Sequence, residues 1–243
     1  KTYLPFKAEK QAAYSGSGIM EDALGRIWYQ TFDGDSYYVE NNQLKWFVKR
    51  DKVSYFPTCN TQKHLFDKST NHLDVYDLKS TKLLKSFKSK SEMTCTWAVF
   101  KGDYYFIENE TLYRITTDLN RQKVINLPIN PSDFLMLFAS DDNLFFVKKT
   151  SSDNGIWEVN NGSIRKIATF PPNQLVQSAK CSKGLIFIQT TQGSLVYNSS
   201  GKQIAHFFSN LNLSDVLIDR KNNYWFTSTN EGIALVPRVD VKQ

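Results

Sequence analysis

Helix-forming residues, cysteine and long apolar runs are all scarce in this sequence, and each scarcity closes off a class of protein. Alanine occurs ten times in 243 residues, whereas Phe, Tyr and Trp number 17, 12 and 5. That balance disfavours packed helices and favours pleated sheet. The three cysteines, Cys59, Cys95 and Cys181, are too few for a disulfide scaffold, and no two lie at a metal-ligand spacing. They read as small buried hydrophobes. One bridge with one leftover thiol also fits, so cysteine usage leaves the redox compartment open. The longest apolar run, Phe134 to Ala139, is far short of the roughly 20 residues a membrane-spanning helix needs. The chain opens on Lys1 without a basic-then-apolar signal peptide, which reads as a processed product or a part of something longer.

Arginine is also sparse. Of 30 basic residues 23 are lysines, set against 24 acids for a net charge of +6. The lysines are spread along the chain as on a solvated surface, and only Lys79, Lys82, Lys85, Lys88 and Lys90 crowd together. A nucleic-acid groove calls for clustered arginine with interleaved aromatics, so no nucleic-acid partner is expected.

What the sequence does have is a repeat. Gly25-Arg26-Ile27-Trp28-Tyr29-Gln30-Thr31, Gly184-Leu185-Ile186-Phe187-Ile188-Gln189-Thr190 and Asn223-Tyr224-Trp225-Phe226-Thr227-Ser228-Thr229 each place a turn residue before an apolar string that closes on threonine. Weaker copies begin at Lys63, Gly102 and Asn143, giving intervals of 38, 39, 41, 41 and 39 residues. A second apolar string follows each first one across a turn such as Asp33-Gly34, Asp153-Asn154 or Gln192-Gly193, the chemistry of hairpins. A third string closes most units and another precedes each anchor. Four short strands every 40 residues or so, with no helical period between them, predict an all-β chain: a β-propeller of about six four-stranded blades, or an arc of a larger propeller. The blades are expected near 14–48, 53–88, 92–128, 132–170, 174–208 and 212–243, as one domain over 1–243. The last unit is short of an outer strand, and Thr2 to Phe6 is the segment expected to complete it and hide its edge.

Asp22 to Thr31 and Asp219 to Ile233 resemble the two-component regulator propeller repeat, which runs Asp, Gly, Leu or Ile, Trp, Thr and then a glycine-centred turn. The unit at 184 matches partly, and the other three lack the Trp and Thr. In physical terms the motif is architectural. Asp22 and Asp219 cap turns, Gly25, Gly184 and Gly232 permit them, Trp28 and Trp225 fill the space between sheets, and Thr31, Thr190 and Thr229 suit strand ends. The resemblance implies a periplasmic or extracellular sensor region of a histidine kinase or hybrid regulator. Its implied role is to detect an oligosaccharide or other small polar molecule, or to mediate dimer contacts. This chain has no kinase segment, so no enzyme activity is expected of it.

Enzyme alternatives need convergent acids, bases or ligands. Streptogramin-lyase-like propellers share the repeat, but His64, His72 and His206 form no metal-binding spacing, and a lone sialidase-like Ser151 to Trp157 string lacks its Thr. No cofactor or metal is expected. The loops after each blade's second strand share a face with the blade-to-blade links. That rim gives a candidate ligand set of Phe32, Asp33, Asp35, Lys68, His72, Glu108, Lys149, Asn230 and Glu231, with Asp153 beside them. Trp97 joins the set because it, like Trp46, falls outside the repeated Trp position. Aromatics beside polar groups suit sugar rings. A docking scaffold for a protein partner or a second copy is the remaining alternative.

Overall fold

The computed structural model describes residues 7–8, 16–31, 34–49, 58–68, 72–88, 93–130, 133–150, 153–160, 162–171 and 173–237. All the regular structure among them is β. The first sheet holds β1 (Lys7–Ala8), β2 (Gly16–Glu21), β3 (Ile27–Thr31), β4 (Asp35–Glu40) and β5 (Gln43–Lys49). The second holds β6 (Thr58–Asn60), β7 (His64–Lys68), β8 (His72–Asp77) and β9 (Leu83–Lys88), and the third holds β10 (Met93–Phe100), β11 (Asp103–Glu108), β12 (Thr111–Ile115) and β13 (Arg121–Asn126). The fourth follows with β14 (Phe134–Ala139), β15 (Leu144–Lys149), β16 (Gly155–Asn160) and β17 (Ser163–Ala168). The fifth has β18 (Val176–Ser182), β19 (Leu185–Thr190), β20 (Gly193–Asn198) and β21 (Gln203–Phe207), and the sixth has β22 (Leu213–Ile218), β23 (Tyr224–Ser228) and β24 (Gly232–Val236).

Apart from β1, each sheet is an antiparallel meander in chain order, the blade of a β-propeller. Two blades depart from four strands. The sixth has three among the described residues, and the first gains β1, which runs parallel to β5. The Thr2 to Phe6 strand expected on the last blade lies outside the described residues. The chain divides into two compact units, Lys1–Lys123 and Val124–Gln243, with the division inside β13.

Packing explains why the repeat reads as it does. In the second to fifth blades the second strand is covered on both faces, so β7 is buried along its length, and β11, β15 and β19 are buried except at one end. Such strands need continuous apolar runs rather than alternation. Outer strands such as β9 and β21 face water and alternate little. In the first unit Trp28 meets Leu65 and Leu78 of the next blade, while Phe66, Leu73 and Val75 meet Tyr104, Phe106 and Ile115. Phe66 and Tyr104 stack at 4.4 Å. In the second unit Phe145, Val147 and Ile156 pack on Ile186, Ile188, Leu195 and Tyr197, and Phe187 and Val196 pack on Leu213, Val216, Tyr224 and Phe226.

The Asp at the head of the motif ties turn, strand and neighbour together. Asp22 accepts from the backbone N–H of Leu24 and Arg26 at 2.8 and 2.9 Å, from Arg26 Nε at 2.7 Å and from the Trp28 indole at 2.7 Å. Gly25, at φ 76°, closes the turn by donating to the Asp22 carbonyl at 2.9 Å. Arg26 lies over both Trp28 and Tyr38 and reaches the Leu78 carbonyl of the second blade. Asp219 repeats the arrangement with Lys221, Asn223 and the Trp225 indole at 2.8, 2.9 and 3.0 Å. Burial pushes the Asp22 carboxyl upward, but the hydrogen bonds from Trp28, Arg26 and Leu24 outweigh it and leave its pKa lowered.

A depressed folded-state pKa contributes stability that is full above the ordinary value of 3.8 and is lost as pH falls through the lower folded value. Asp22→Ala is therefore expected to cost about 2–3 kcal/mol in urea unfolding at pH 7, since it strands buried donors. The gap from the parent should narrow once the pH drops below about 4. A gap that is flat from pH 7 to pH 2 would show that the carboxylate charge plays no part.

Candidate functional site

In several blades the hairpin that joins the second and third strands carries buried polar side chains. Thr31, Lys68, Glu108, Lys149 and Thr190 each end a second strand, and Asp35 and His72 each begin a third. Asp35, Lys68 and Glu108 are buried, as are Thr31 and Thr190. Thr31 Oγ1 accepts from Asp35 N at 3.1 Å and Thr190 Oγ1 donates to the Gly193 carbonyl at 2.9 Å, so these threonines lock the turns. Gly193 has no room for a side chain, because a Cβ there would sit 2.3 Å from the Phe207 carbonyl oxygen.

Several rim residues are engaged within their own blades. Glu108 pairs with Arg121, whose guanidinium lies 4.1 Å from the Tyr113 ring. His72 Nε2 is 3.5 Å from Asp74, and Lys149 is half-buried opposite Phe134. Asn230 and Glu231 are exposed, with backbone N–H groups donating to Ser228 Oγ at 3.3 and 3.1 Å. Thr229 N donates to the Asn212 carbonyl at 3.1 Å. Trp97 is half-buried and stacks on Tyr104. Phe32 and Asp33 lie outside the described residues.

Two aromatic–acid groupings stand out. In the fourth blade Asp153 accepts from Lys166 Nζ at 2.7 Å and Lys148 Nζ at 3.2 Å, both cations lying over Trp157. The Lys166 hydrogen bond is the main cause of the lowered Asp153 pKa. Lys148 also donates to the Pro128 carbonyl at 2.8 Å. This cluster is satisfied by its own members and reads as a clamp.

The second grouping, in the first blade, is open. Ile19, Tyr29, Tyr37 and Trp46 are successive cross-strand partners, so they form one row over β2, β3, β4 and β5. Tyr37 is buried, but Trp46 is 38% exposed, and its indole N–H donates to Asp35 at 2.8 Å. An acid at the hairpin thus fixes the orientation of an aromatic ring whose face meets solvent. The pair lies diagonally across β4 and β5, since Trp46 is the partner of Tyr37, two residues along the same face from Asp35. Sequence reasoning marked Asp35 and noticed Trp46 without linking them. Period-two alternation across the Trp28-Tyr29 and Tyr37-Tyr38 pairs is the signal that would have placed Tyr29 and Tyr37 in one row.

A smaller polar row crosses the fifth blade. Gln189 is fully buried opposite Ser178 and Ser194, and its amide atoms and both hydroxyls have no hydrogen-bond partner among the described residues. The histidines are dispersed. His64 is buried, and burial lowers its pKa; His206 Nε2 is 2.7 Å from the Gln192 carbonyl. Cys181 is a free thiol that burial, with the Asp141 charge nearby, pushes up to about 12. Among the described residues no three His, Cys, Asp or Glu side chains cluster as metal ligands.

The fold is that of a propeller known both in enzymes and in sensor domains. No protein-family model matches the chain, and no curated protein matches it. Among solved structures, virginiamycin B lyase from Staphylococcus aureus aligns with a TM-score of 0.70 at 14% identity, over 93% of this chain and 85% of that one. A catalytically inactive histidine-to-alanine form of that lyase with quinupristin gives the same figures. The extracellular domain of a putative hybrid two-component system from B. thetaiotaomicron aligns at 0.53 and 14% identity, over 95% of this chain but only 39% of that one. BamB from Moraxella catarrhalis aligns at 0.60 and 11% identity, over 90% and 68%. At these identities the likeness is one of fold. No helix among the described residues is long and apolar enough to cross a membrane.

Replacing Asp35 should release the Trp46 ring. Asp35→Ala is expected to cost about 1–2 kcal/mol through the lost charged hydrogen bond and to raise the mobility of one tryptophan in time-resolved fluorescence anisotropy. Unchanged anisotropy would mean that packing, not Asp35, orients the ring.

Proposed function

We propose that this chain is a recognition domain, the extracytoplasmic part of a two-component signalling protein, and that it binds a small polar ligand of the oligosaccharide class without turning it over. The observation that supports this reading is Trp46, a solvent-facing ring held at 2.8 Å by Asp35. A sugar has an apolar face of C–H groups, and an indole oriented in advance by a buried carboxylate offers that face a contact without ordering a loop on binding. The propeller of an extracellular two-component domain is compatible with the same role.

Thermal unfolding against a panel of oligosaccharides tests the proposal, since a ligand bound only by the native state raises the midpoint. The expected result is a shift with one sugar class, no product by mass spectrometry, and an affinity lowered about tenfold in Trp46→Ala. No shift across the panel would sink the ligand reading and favour a docking scaffold.

The lyase alignment, at 93% of the chain, supports a second reading. It would draw on His72 beside Asp74 as its acid–base pair. Incubation with virginiamycin B or quinupristin separates the two. Cleavage that His72→Ala abolishes would make the chain an enzyme, and intact substrate after prolonged incubation is the expected outcome.

A further inference from the structure

The polar row across the fifth blade is accounted for neither by the repeat nor by the ligand reading. Gln189 stands opposite Ser178 of β18 and Ser194 of β20, and it shares a sheet face with Phe187, two residues back along β19. Phe187 and Val196 pack on Leu213, Val216, Tyr224 and Phe226 of the sixth blade. The row therefore lies on the seam between the fifth and sixth blades, wholly inside the second compact unit. Lys180, two residues along β18 from Ser178, reaches Asp215 of β22 at 2.7 Å across the same seam. Gln189 and Ser194 have no exposed surface, and Gln189 Oε1 and Nε2, Ser178 Oγ and Ser194 Oγ are buried with no hydrogen-bond partner among the described residues. Such groups do not stay in a protein interior unpaired, because each gave up hydrogen bonds to solvent on burial.

The chemistry of the row limits its guest. Directly opposed residues hold their Cβ atoms about 4.5–5.5 Å apart, a separation that a small molecule bridges where the side chains do not bond directly. The guest must be small, because the fully buried Phe187, Val196 and Leu213 close the seam beside the row. It must also donate and accept at once, since the row offers an amide N–H₂, an amide oxygen and two hydroxyls. A cation would leave the N–H₂ unpaired and an anion would leave the amide oxygen unpaired, each with a net charge buried. Water meets both demands. The first blade repeats the arrangement: Gln30 stands opposite Ser36 as Gln189 stands opposite Ser194, and each glutamine precedes the threonine that locks its hairpin. Gln30 and Ser36 are 6 and 2% exposed, and Ser36 Oγ is also buried without a partner among the described residues.

We propose that the row Ser178–Gln189–Ser194 is a built water site, in which an ordered internal water bridges the Gln189 amide to the serine hydroxyls on the seam between the fifth and sixth blades. An internal water of this kind makes about three hydrogen bonds to buried polar groups and is costly to remove. It belongs to the seam as much as Phe187 and Leu213 do. This inference is independent of the ligand reading.

A high-resolution crystal structure of the parent chain tests it. A solvent peak is expected within about 2.7–3.2 Å of the Gln189 amide and of one or both hydroxyls. Gln189 bonded directly to Ser178 or Ser194, with no peak between them, would overturn the proposal. Magnetic relaxation dispersion of deuterium and oxygen-17 gives a second readout in solution, because it counts waters held for longer than the protein takes to tumble. Gln189→Leu combined with Ser178→Ala and Ser194→Ala should lower that count, since an apolar row has nothing to hold a water. Replacing the whole polar set together leaves no group stranded, and circular dichroism checks that the variant folds. An unchanged count in the folded variant would also sink the proposal. Where the variant does not fold, the parent's crystal structure decides by itself.

Discussion

Everything in this protein follows from the need to cover both faces of a sheet at once. A four-stranded blade cannot bury its second strand alone, so strands such as β7 and β19 are stable only with a neighbour on either side. That lateral burial sets the composition, with Phe66, Phe106, Phe145 and Phe187 recurring at the centre of successive blades. It also makes the motif's Asp valuable. By gripping the indole of Trp28 and the guanidinium of Arg26, Asp22 turns a local loop into a fixed contact with the second blade.

Much of this was legible from spacing. The anchors at 25, 63, 102, 143, 184 and 223 each fall at or just before a second strand, because a continuous apolar string after a turn is what a doubly covered strand requires. The environment of each motif was not legible. Asp22-to-Trp28 and Asp219-to-Trp225 look alike in sequence, yet one tryptophan is buried and the other exposed. Coverage is supplied by a different part of the chain, and no local pattern reports it. The Trp46–Asp35 bond was hidden for a related reason, since it depends on which residue of β5 lies opposite Tyr37, and only the pairing of the strands reveals that. The fifth strand of the first blade was likewise invisible, because two residues, Lys7 and Ala8, carry no pattern.

The polar residues of the hairpin ends divide into two kinds. Thr31, Thr190, Glu108 and Lys148 are occupied in holding turns and strands together, and a conservative loss there would be felt as instability. Trp46 is different, because its bond to Asp35 fixes the ring without hiding it. The two kinds can be told apart in this way: architectural polar groups end on protein, whereas the Trp46 ring on which the proposed ligand site rests is held by protein and reaches solvent.

Cys181 lies on the first strand of the fifth blade with a thiol pushed up to about 12 by burial. That shift disfavours the reactive thiolate, so alkylation of this half-buried thiol is slowed while β18 stays paired with β19. Its alkylation therefore becomes a clock for the local opening of that blade. Read at Cys181 by peptide mapping, apart from Cys59 and Cys95, that rate would time the breathing of one blade.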